Sequence, residues 1–304
     1  MKVYFADKDS LIDAAAALPD GRGIVVASGG YGVDLVDTGG LVRALVEGGG
    51  GVTSVALSDD GSLCACGGMD GDAYVWSVGD WKSIAHRKFN EPTKCVGFTS
   101  DGKNIVLGQG EPTREVILVD ATRLNTISTL VPKGESDARF LAYRSAANLL
   151  AVYSGKRGDA AAGGEVRLLN IVSGSARHLA TLPSAPACGM ALAGTAILVA
   201  ACYDGHVRII DCHSGKIVAT LMPSGLPSVA AGNSGKFFVT GEGVRVHSPS
   251  KLVIRSCKTG NACAELNYPE PMEPLWCDTD RGIILADSLG ELVRWELPKD
   301  LKCD

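Results

Sequence analysis

The chain has 304 residues, of which 46% are apolar and 21% are charged, and its formal net charge is −5. This composition is typical of folded globular proteins and excludes wholesale disorder. The acidic balance disfavours a general nucleic-acid-binding surface, which usually carries a basic excess. The longest apolar run, Ala196–Tyr203, is far shorter than the roughly 20 residues that cross a bilayer, so we expect no membrane partner.

The N-terminal segment predicts a β-strand rather than a targeting signal. Lys2–Ala6 alternates in character, and charged residues replace the apolar stretch of a secretory signal. Most of the ten cysteines are therefore interpreted as buried apolar thiols in a reducing compartment, the cytosol or the nucleus. We expect a cytoplasmic protein, with the nucleus as the alternative. The next segment, Ser10–Leu18, shows a weak helical period that opens on a serine cap.

The clearest structural unit lies at Gly68–Arg87, GMDGDAYVWSVGDWKSIAHR. Small residues and an Asp-Gly pair precede an alternating apolar strand, a polar turn and a second strand. Asp70 and Asp72 lack the further ligands and the late glutamate of a calcium loop. We therefore interpret Asp70 as a turn residue whose carboxylate accepts hydrogen bonds from nearby backbone N–H groups, while Gly71 adopts a positive φ.

The same unit returns along the whole chain. The segment Cys202–Leu221 repeats it closely, and Asp204 is given the same structural interpretation as the earlier turn aspartate. In each copy a residue closes the third strand, and these residues are spaced 40 to 50 positions apart: Asp37, Ser77, Asp120, Asn170, Asp211, Ser256 and Glu296. Repeats of about 40–45 residues with four short strands are typical of β-propellers.

An earlier hairpin completes each unit. In the second copy, the predicted strands Val52–Leu57 and Leu63–Cys66 flank the turn Ser58–Gly61. Asp-Gly between alternating apolar runs favours a hairpin, because both residues tolerate the positive φ that such turns need.

These residues resemble the WD-repeat β-propeller family over nearly the whole chain. The resemblance rests on the Asp-Gly turns and the apolar strands that follow them, at Asp70–Trp76, Asp204–Asp211 and Val293–Glu296. Only Trp76 and Trp295 occupy the family's tryptophan position, which we expect Arg255 to fill in the sixth copy. The resemblance implies an all-β, seven-bladed β-propeller of four-stranded antiparallel blades.

The two ends of the chain complete this expectation. The last repeat supplies only three strands, and an alternating strand precedes the first repeat. We therefore predict one domain over residues 1–304, in which residues 1–7 complete the C-terminal blade and close its open edge.

Catalytic and metal-binding patterns find little support. There is no Gly-x-Ser-x-Gly elbow and no phosphate-binding GxxxxGK[ST] loop. Cys64 and Cys66 share one strand face, and no CxxC pair occurs. None of the histidines falls at a zinc spacing with the cysteines. We predict no catalytic residues, no metal and no cofactor, although a site assembled from distant loops leaves no trace in a single sequence.

Surface loops are the remaining candidates for function. The loops between the second and third strands are tight in the second and fifth repeats, and long at Gly108–Glu115, Ser154–Gly164 and Gly241–Lys251. Long irregular loops on a rigid scaffold commonly carry function. We expect them to gather six residues on one partner-binding face: Arg114, Lys156, Arg157, Arg245, His247 and Lys251. This basic face suits an acidic or phosphorylated peptide; a solvated rim is the alternative.

The resemblance implies a non-catalytic protein–protein interaction scaffold, a monomeric propeller within an intracellular multiprotein complex. The inference is by analogy, since a fold does not fix a function. The alternative is a non-catalytic subunit of an RNA-modifying or ribosome-associated complex, in which RNA is a less favoured partner.

Overall fold

The computed structural model describes most of the chain. The described residues are 2–6, 12–28, 32–37, 39, 42–47, 51–134, 141–155, 163–184, 186–223, 225, 228–232, 234–242, 250–268, 272–278, 282–288, 291–297 and 301. They form two compact units: one comprises Met1–Val3, Phe140–Arg144 and Leu149–Asp304, and the other comprises Tyr4–Arg139 and Ser145–Asn148.

The described strands begin with β1 (Lys2–Ala6), and three four-stranded sheets then follow in the unit of Tyr4–Arg139. The first blade contains β2 (Ile12–Ala17), β3 (Gly23–Ser28), β4 (Gly32–Asp37) and β5 (Val42–Glu47). The second contains β6 (Val52–Leu57), β7 (Leu63–Gly68), β8 (Asp72–Ser77) and β9 (Ser83–Lys88). The third contains β10 (Thr93–Phe98), β11 (Asn104–Gln109), β12 (Val116–Asp120) and β13 (Thr126–Val131).

The unit that includes Leu149–Asp304 contains four further sheets. The fourth blade is β14 (Leu141–Arg144), β15 (Leu149–Gly155), β16 (Gly164–Asn170) and β17 (Ala176–Leu182). The fifth is β18 (Pro186–Ala193), β19 (Ile197–Cys202), β20 (Val207–Asp211) and β21 (Ile217–Leu221). The sixth is β22 (Ser228–Ala231), β23 (Phe237–Glu242), β24 (Ser250–Ser256) and β25 (Ala262–Tyr268). The seventh has β26 (Glu273–Asp278), β27 (Ile283–Ser288) and β28 (Glu291–Glu296).

The last blade takes its fourth strand from the start of the chain. Its strand order is β1-β28-β27-β26, whereas the other six sheets use four consecutive strands. The predicted all-β architecture of seven four-stranded antiparallel blades, with the N-terminal strand completing the last one, is confirmed.

Within each unit, the core consists of apolar layers between the faces of neighbouring blades. In one layer, Ala65 and Val75 of the second blade pack with Ile105 and Val119 of the third, and all four are almost fully buried. Full burial of a valine or isoleucine side chain contributes roughly 1.5–3 kcal/mol to stability. Because consecutive blades share these layers, the packing holds the loops at the strand ends on a rigid support.

The turns between third and fourth strands repeat one geometry. Residues with positive φ occupy the same place in five blades: Trp81, Leu124, Gly174, Gly215 and Gly260. The side chain that ends the third strand stabilises several of these turns, as Asp120 does by accepting from the backbone N–H groups of Thr122 and Arg123, both at 2.9 Å. The residues chosen from the sequence to close the third strands do so in all seven blades.

One local prediction is wrong. The weak helical period over Ser10–Leu18 does not produce a helix, because Ile12–Ala17 forms β2 and Ser10 lies outside the described residues. Alanine favours helices in isolation. Here pairing with β3 and burial of Ala15, Ala16 and Ala17 outweigh that preference. Along the described chain, no helix has the length and apolar character to span a membrane.

Candidate functional site

The tight turn of the second blade is closed by backbone hydrogen bonds. The Gly71 N–H donates to the Gly68 carbonyl at 3.1 Å, and the Phe89 N–H donates to the Gly71 carbonyl at 2.9 Å. Gly71 has a φ of +84°, and a Cβ at this position would overlap the Phe89 carbonyl oxygen. A glycine is therefore required on both conformational and steric grounds. The neighbouring Asp70 lies within this turn.

A polar cluster follows directly on the outer part of the same blade. The Asp72 carboxylate lies 2.8 Å from His86 Nε2 and 3.5 Å from Lys88 Nζ. The His86 ring stacks on Tyr74 with centroids 4.2 Å apart. The second acidic residue of the Asp-Gly-Asp motif thus joins strands β8 and β9.

The tight turn of the fifth blade is held by an ion pair. The Arg208 guanidinium donates to both carboxylate oxygens of Asp204, at 3.0 and 2.5 Å, and the His206 N–H donates to the same carboxylate at 3.1 Å. These hydrogen bonds, those from Arg208 first, lower the pKa of Asp204 to about 2. Only 7% of the Arg208 side chain is exposed, so the cation of this ion pair is buried.

Arg114 lies in the loop between β11 and β12, where it is bound within its own loop. Its guanidinium donates to Glu111 Oε1 at 2.5 Å, and its side chain is 15% exposed. Its backbone has a φ of +54°, and its N–H donates to the Gly110 carbonyl at 2.9 Å. The Gly110 N–H in turn donates to the Pro92 carbonyl at 2.7 Å, which ties the loop to the segment before β10.

The structure describes one more of the six predicted partner-binding residues. Lys251 Nζ lies 3.1 Å from Glu265 Oε1 on the adjacent strand. Arg114 and Lys251 belong to separate compact units, and each contacts a carboxylate of its own unit. The other four residues lie outside the described residues: Lys156, Arg157, Arg245 and His247.

The sixth blade contains a buried charged network where the second has a tryptophan. Arg255 donates to Glu242 Oε1, to Thr240 Oγ1 at 3.2 Å and to the Gly260 carbonyl at 3.1 Å. Thr240 Oγ1 also donates to Glu242 Oε1 at 2.8 Å. These partners satisfy a carboxylate whose side chain is 4% exposed.

A groove of about 270 Å³ opens between the second and third blades. We call it the third-repeat groove and define it by its lining residues Arg87, Lys88, Phe89, Asn90, Glu91, Gln109, Thr113, Glu115, Ile117, Thr126 and Thr129. Phe89 and Ile117 are apolar and buried, whereas Thr126 and Thr129 are exposed. The volume is slightly below the roughly 300–1,000 Å³ of small-molecule pockets, so the groove suits a single long side chain.

Two polar side chains of the groove have no hydrogen-bond partner within the described residues. Gln109 is only 6% exposed, and no hydrogen bond of its side-chain amide occurs there. It shares its strand face with Ile105 and Leu107, the face that packs towards the second blade and borders the groove. The buried Thr113 Oγ1 also lacks a partner. Buried amides and hydroxyls are normally hydrogen-bonded.

The cationic side chains of the groove have partners, whereas its carboxylates form no ion pair with any described residue. The Arg87 guanidinium donates to the Leu124 carbonyl at 2.8 Å and lies 5.0 Å from the centre of the Phe89 ring. The other cation, Lys88, lies near Asp72. Neither Glu91 nor Glu115 forms an ion pair with any described residue, and both are half-buried. The cations of the groove are already engaged, but its two carboxylates are not.

The cysteines do not form a metal centre in the part of the chain that the structure describes. No group of three or more histidine, cysteine, aspartate and glutamate side chains is arranged there to hold a metal ion. Burial raises the pKa of the thiols of Cys95 and Cys257 to about 11 and about 12, so both remain protonated at neutral pH. Cys263 differs from the expectation of thiols, because it is disulfide-bonded.

The third-repeat groove was missed at the level of sequence. The sequence predicts a long loop at Gly108–Glu115, but it indicates Arg114 as the binding residue rather than the uncharged Gln109 and Thr113 at the base of the loop. A sequence signal existed, because a glutamine at an inward-facing position of an otherwise apolar strand is unusual. The two carboxylates carried no comparable signal, since acidic residues in loops are common.

Parts of the sequence are similar to known proteins. A family model described as "WD domain, G-beta repeat" matches residues 40–77, which include β6, β7 and β8. A stretch of 62 residues, 20% of this chain, is 27% identical to U3 small nucleolar RNA-associated protein 15 of Schizosaccharomyces pombe (strain 972 / ATCC 24843). The match spans only 13% of that relative's length.

A solved structure resembles the whole fold. The structure described as "Structure of U3-55K" superposes with a TM-score of 0.76 over 99% of this chain and 95% of that chain, at 16% sequence identity. The seven four-stranded blades define the class as a β-propeller. The repeat match at residues 40–77 and the seven-bladed fold agree with the resemblance to WD-repeat β-propellers that the sequence predicted.

Proposed function

We propose that this propeller is a non-catalytic interaction scaffold within an RNA–protein assembly. The observation that carries the proposal is the agreement of two matches, one local in sequence and one global in fold. Both fall on proteins whose names refer to U3. The RNA-associated alternative drawn from the sequence is thereby favoured over a scaffold of unspecified setting.

The proposal places the chain in the nucleus rather than the cytoplasm. The curated relative is named as associated with a small nucleolar RNA. A subunit of a comparable assembly would reside where that assembly forms. The net charge of −5 supports a chain held there by protein partners, because an acidic surface repels phosphates.

The loop residues chosen from the sequence remain proposed contacts. Lys156, Arg157, Arg245 and His247 are the candidates for an acidic or phosphorylated partner segment. Arg114 and Lys251 each already lie beside a carboxylate, so a phosphate would have to compete with Glu111 or Glu265. We assign the larger role to the four loop residues for this reason.

Affinity purification of the tagged full chain from nuclear extract tests the proposal. We expect U3 small nucleolar RNA to be enriched together with a defined set of proteins. Nuclease treatment before elution should remove the RNA and leave direct protein partners bound. Recovery of proteins without any enriched RNA would contradict the RNA–protein setting, and recovery of neither would contradict the scaffold.

Two further measurements complete this test, one on the purified chain and one by affinity purification of a variant. The chain alone should show no salt-sensitive affinity for RNA, because its partners make the RNA contacts. A variant neutralised at Lys156, Arg157, Arg245 and Lys251 should lose part of the co-purifying proteins. Identical recovery with that variant would contradict the proposed basic contacts.

A further inference from the structure

We infer that the third-repeat groove binds one cationic side chain, a lysine or an arginine, presented by a protein partner. The inference rests on the proposed function, since it names the chemistry by which the scaffold holds one of its partners. It is carried by four groups that converge on one concavity: Glu91, Glu115, Gln109 and Thr113.

The unsatisfied polar atoms point to a ligand. Gln109 is more than nine-tenths buried, and no described residue bonds its side-chain amide. Thr113 Oγ1 is buried and also lacks a partner. A folded chain gains nothing from the buried Thr113 hydroxyl by itself, because that oxygen loses hydration without a compensating hydrogen bond. A donor that enters the groove would bond both oxygens.

The charge of the groove selects a cation. Glu91 and Glu115 are half-buried and form no ion pair with any described residue, whereas Arg87 is held by the Leu124 carbonyl. An ammonium or guanidinium group would compensate both carboxylates and make charge-assisted hydrogen bonds. A phosphate would meet Glu91 and Glu115, which have no ion-pair partner among the described residues, whereas Arg87 and Lys88 of the same lining lie against the Leu124 carbonyl and Asp72. RNA is therefore disfavoured at this position.

The shape of the groove selects a long side chain with an apolar stem. Phe89 and Ile117 are 8% and 4% exposed and lie with the polar groups along the groove. Lysine and arginine pack their methylene chains on apolar surface while their charged ends reach polar groups. The volume of about 270 Å³ accommodates such a side chain and excludes a large cofactor.

A minimal probe tests the inference on the purified full chain. Nuclear magnetic resonance would follow the side-chain amide of Gln109 during titration with N-acetyl-arginine methylamide or N-acetyl-lysine methylamide. We expect a saturable shift with both probes and none with the neutral citrulline analogue. A shift that citrulline reproduces, or no saturable shift with either cation, would overturn the assignment.

Matched variants distinguish the groove from general surface charge. The double variant Glu91→Gln/Glu115→Gln should weaken binding of the arginine probe at least about tenfold. The double variant Asp80→Asn/Glu296→Gln removes the same charge outside the groove and should leave binding unchanged. Equal weakening by both pairs would mean non-specific attraction and would refute the inference. Displacement of the arginine probe by a single-stranded RNA oligonucleotide would refute it also.

The outcome can be separated from that of the proposed function. In affinity purification, the groove variant should lose a subset of proteins that the wild-type chain recovers. Full recovery by the variant would overturn the groove as a partner site while leaving the scaffold intact. If the wild-type chain recovers no assembly, the scaffold fails, and the titration with arginine still decides the chemistry of the groove.

Discussion

The Arg255 guanidinium pairs with the Glu242 carboxylate inside the sixth blade, where the second blade carries Trp76. Their side chains are 14% and 4% exposed, so both charges are largely removed from water. Such pairs are seldom strongly stabilising, because the loss of hydration offsets most of their attraction. Removing one partner alone is far more harmful, because the other charge stays buried.

A double-mutant cycle at this pair should therefore be strongly non-additive. We expect Arg255→Met or Glu242→Met alone to lower the free energy of unfolding by about 3–5 kcal/mol. The double variant should lose less than either single variant. Urea unfolding of the four proteins measures the coupling, and additive losses would contradict a buried, mutually dependent pair.

The turn of the second blade should not tolerate a side chain at Gly71. Gly71→Ala forces a Cβ against the Phe89 carbonyl oxygen at a positive φ. Gly21→Ala is the matched control, because Gly21 also has a positive φ, of +73°, and has open space around it. We expect the control to cost about 1 kcal/mol and Gly71→Ala to cost clearly more. Equal thermal shifts for the two variants would refute the steric argument.

The Asp204–Arg208 ion pair should give stability that depends on acid pH. The pKa of Asp204 in the folded chain, about 2, lies below its ordinary value of 3.8. The stabilisation is therefore complete above about pH 5 and is lost as the pH falls through 4 towards 2. Above pH 5, Asp204→Asn should lower the free energy of unfolding by roughly 2 kcal/mol.

The difference between wild type and Asp204→Asn should shrink steadily in unfolding curves recorded from pH 5 to pH 2. Arg208→Met removes the hydrogen bonds that are the first cause of the lowered pKa. It should raise the pKa of Asp204 towards its ordinary value and reduce the same pH dependence, while the His206 N–H still donates to the carboxylate. A constant difference across this range would show that the ion pair does not set the stability.

Two threonines allow binding and stability to be separated. The hydroxyls of Thr93 and Thr113 are both buried without a partner, but only Thr113 lines the third-repeat groove. Replacing either with the isosteric valine removes an unsatisfied hydroxyl, and we expect a gain of about 1 kcal/mol. Calorimetry should show similar increases in Tm for both variants. Only Thr113→Val should weaken the arginine probe, and equal effects on binding would contradict its place in the groove.

Local chemistry explains why the fold could be predicted. The turn formed by Asp120 with Thr122 uses neighbouring residues only, and its repetition revealed the period. Ile12–Ala17 differs from the prediction because pairing with β3 and burial of its alanines outweigh the helical period of the segment. For Arg114, which stays a predicted contact, the ion-pair partner Glu111 stands only three residues earlier, a spacing that a sequence can indicate.

The groove could not be predicted because it depends on side chains that have no hydrogen-bond or ion-pair partner among the described residues after the blades have packed. Glu91, which follows β9, and Glu115, which precedes β12, line the same groove only because the second and third blades are neighbours. The side-chain amide of Gln109 lacks a partner because none of the surrounding described residues bonds it, and the sequence position of Gln109 does not reveal this. Sequence patterns predict hydrogen bonds that form along a turn, but they carry little information on those that fail to form between blades.

The order β1-β28 in the last blade has a consequence for biosynthesis. Residues 2–6 are synthesised long before their partner strand, Glu291–Glu296, because the other blades lie between them in the sequence. At about 5–20 residues per second, β1 waits roughly a quarter of a minute to a minute for that partner. During this interval the nascent chain carries an unpaired strand, a natural target for chaperones and a hazard for mispairing between neighbouring polysomal chains.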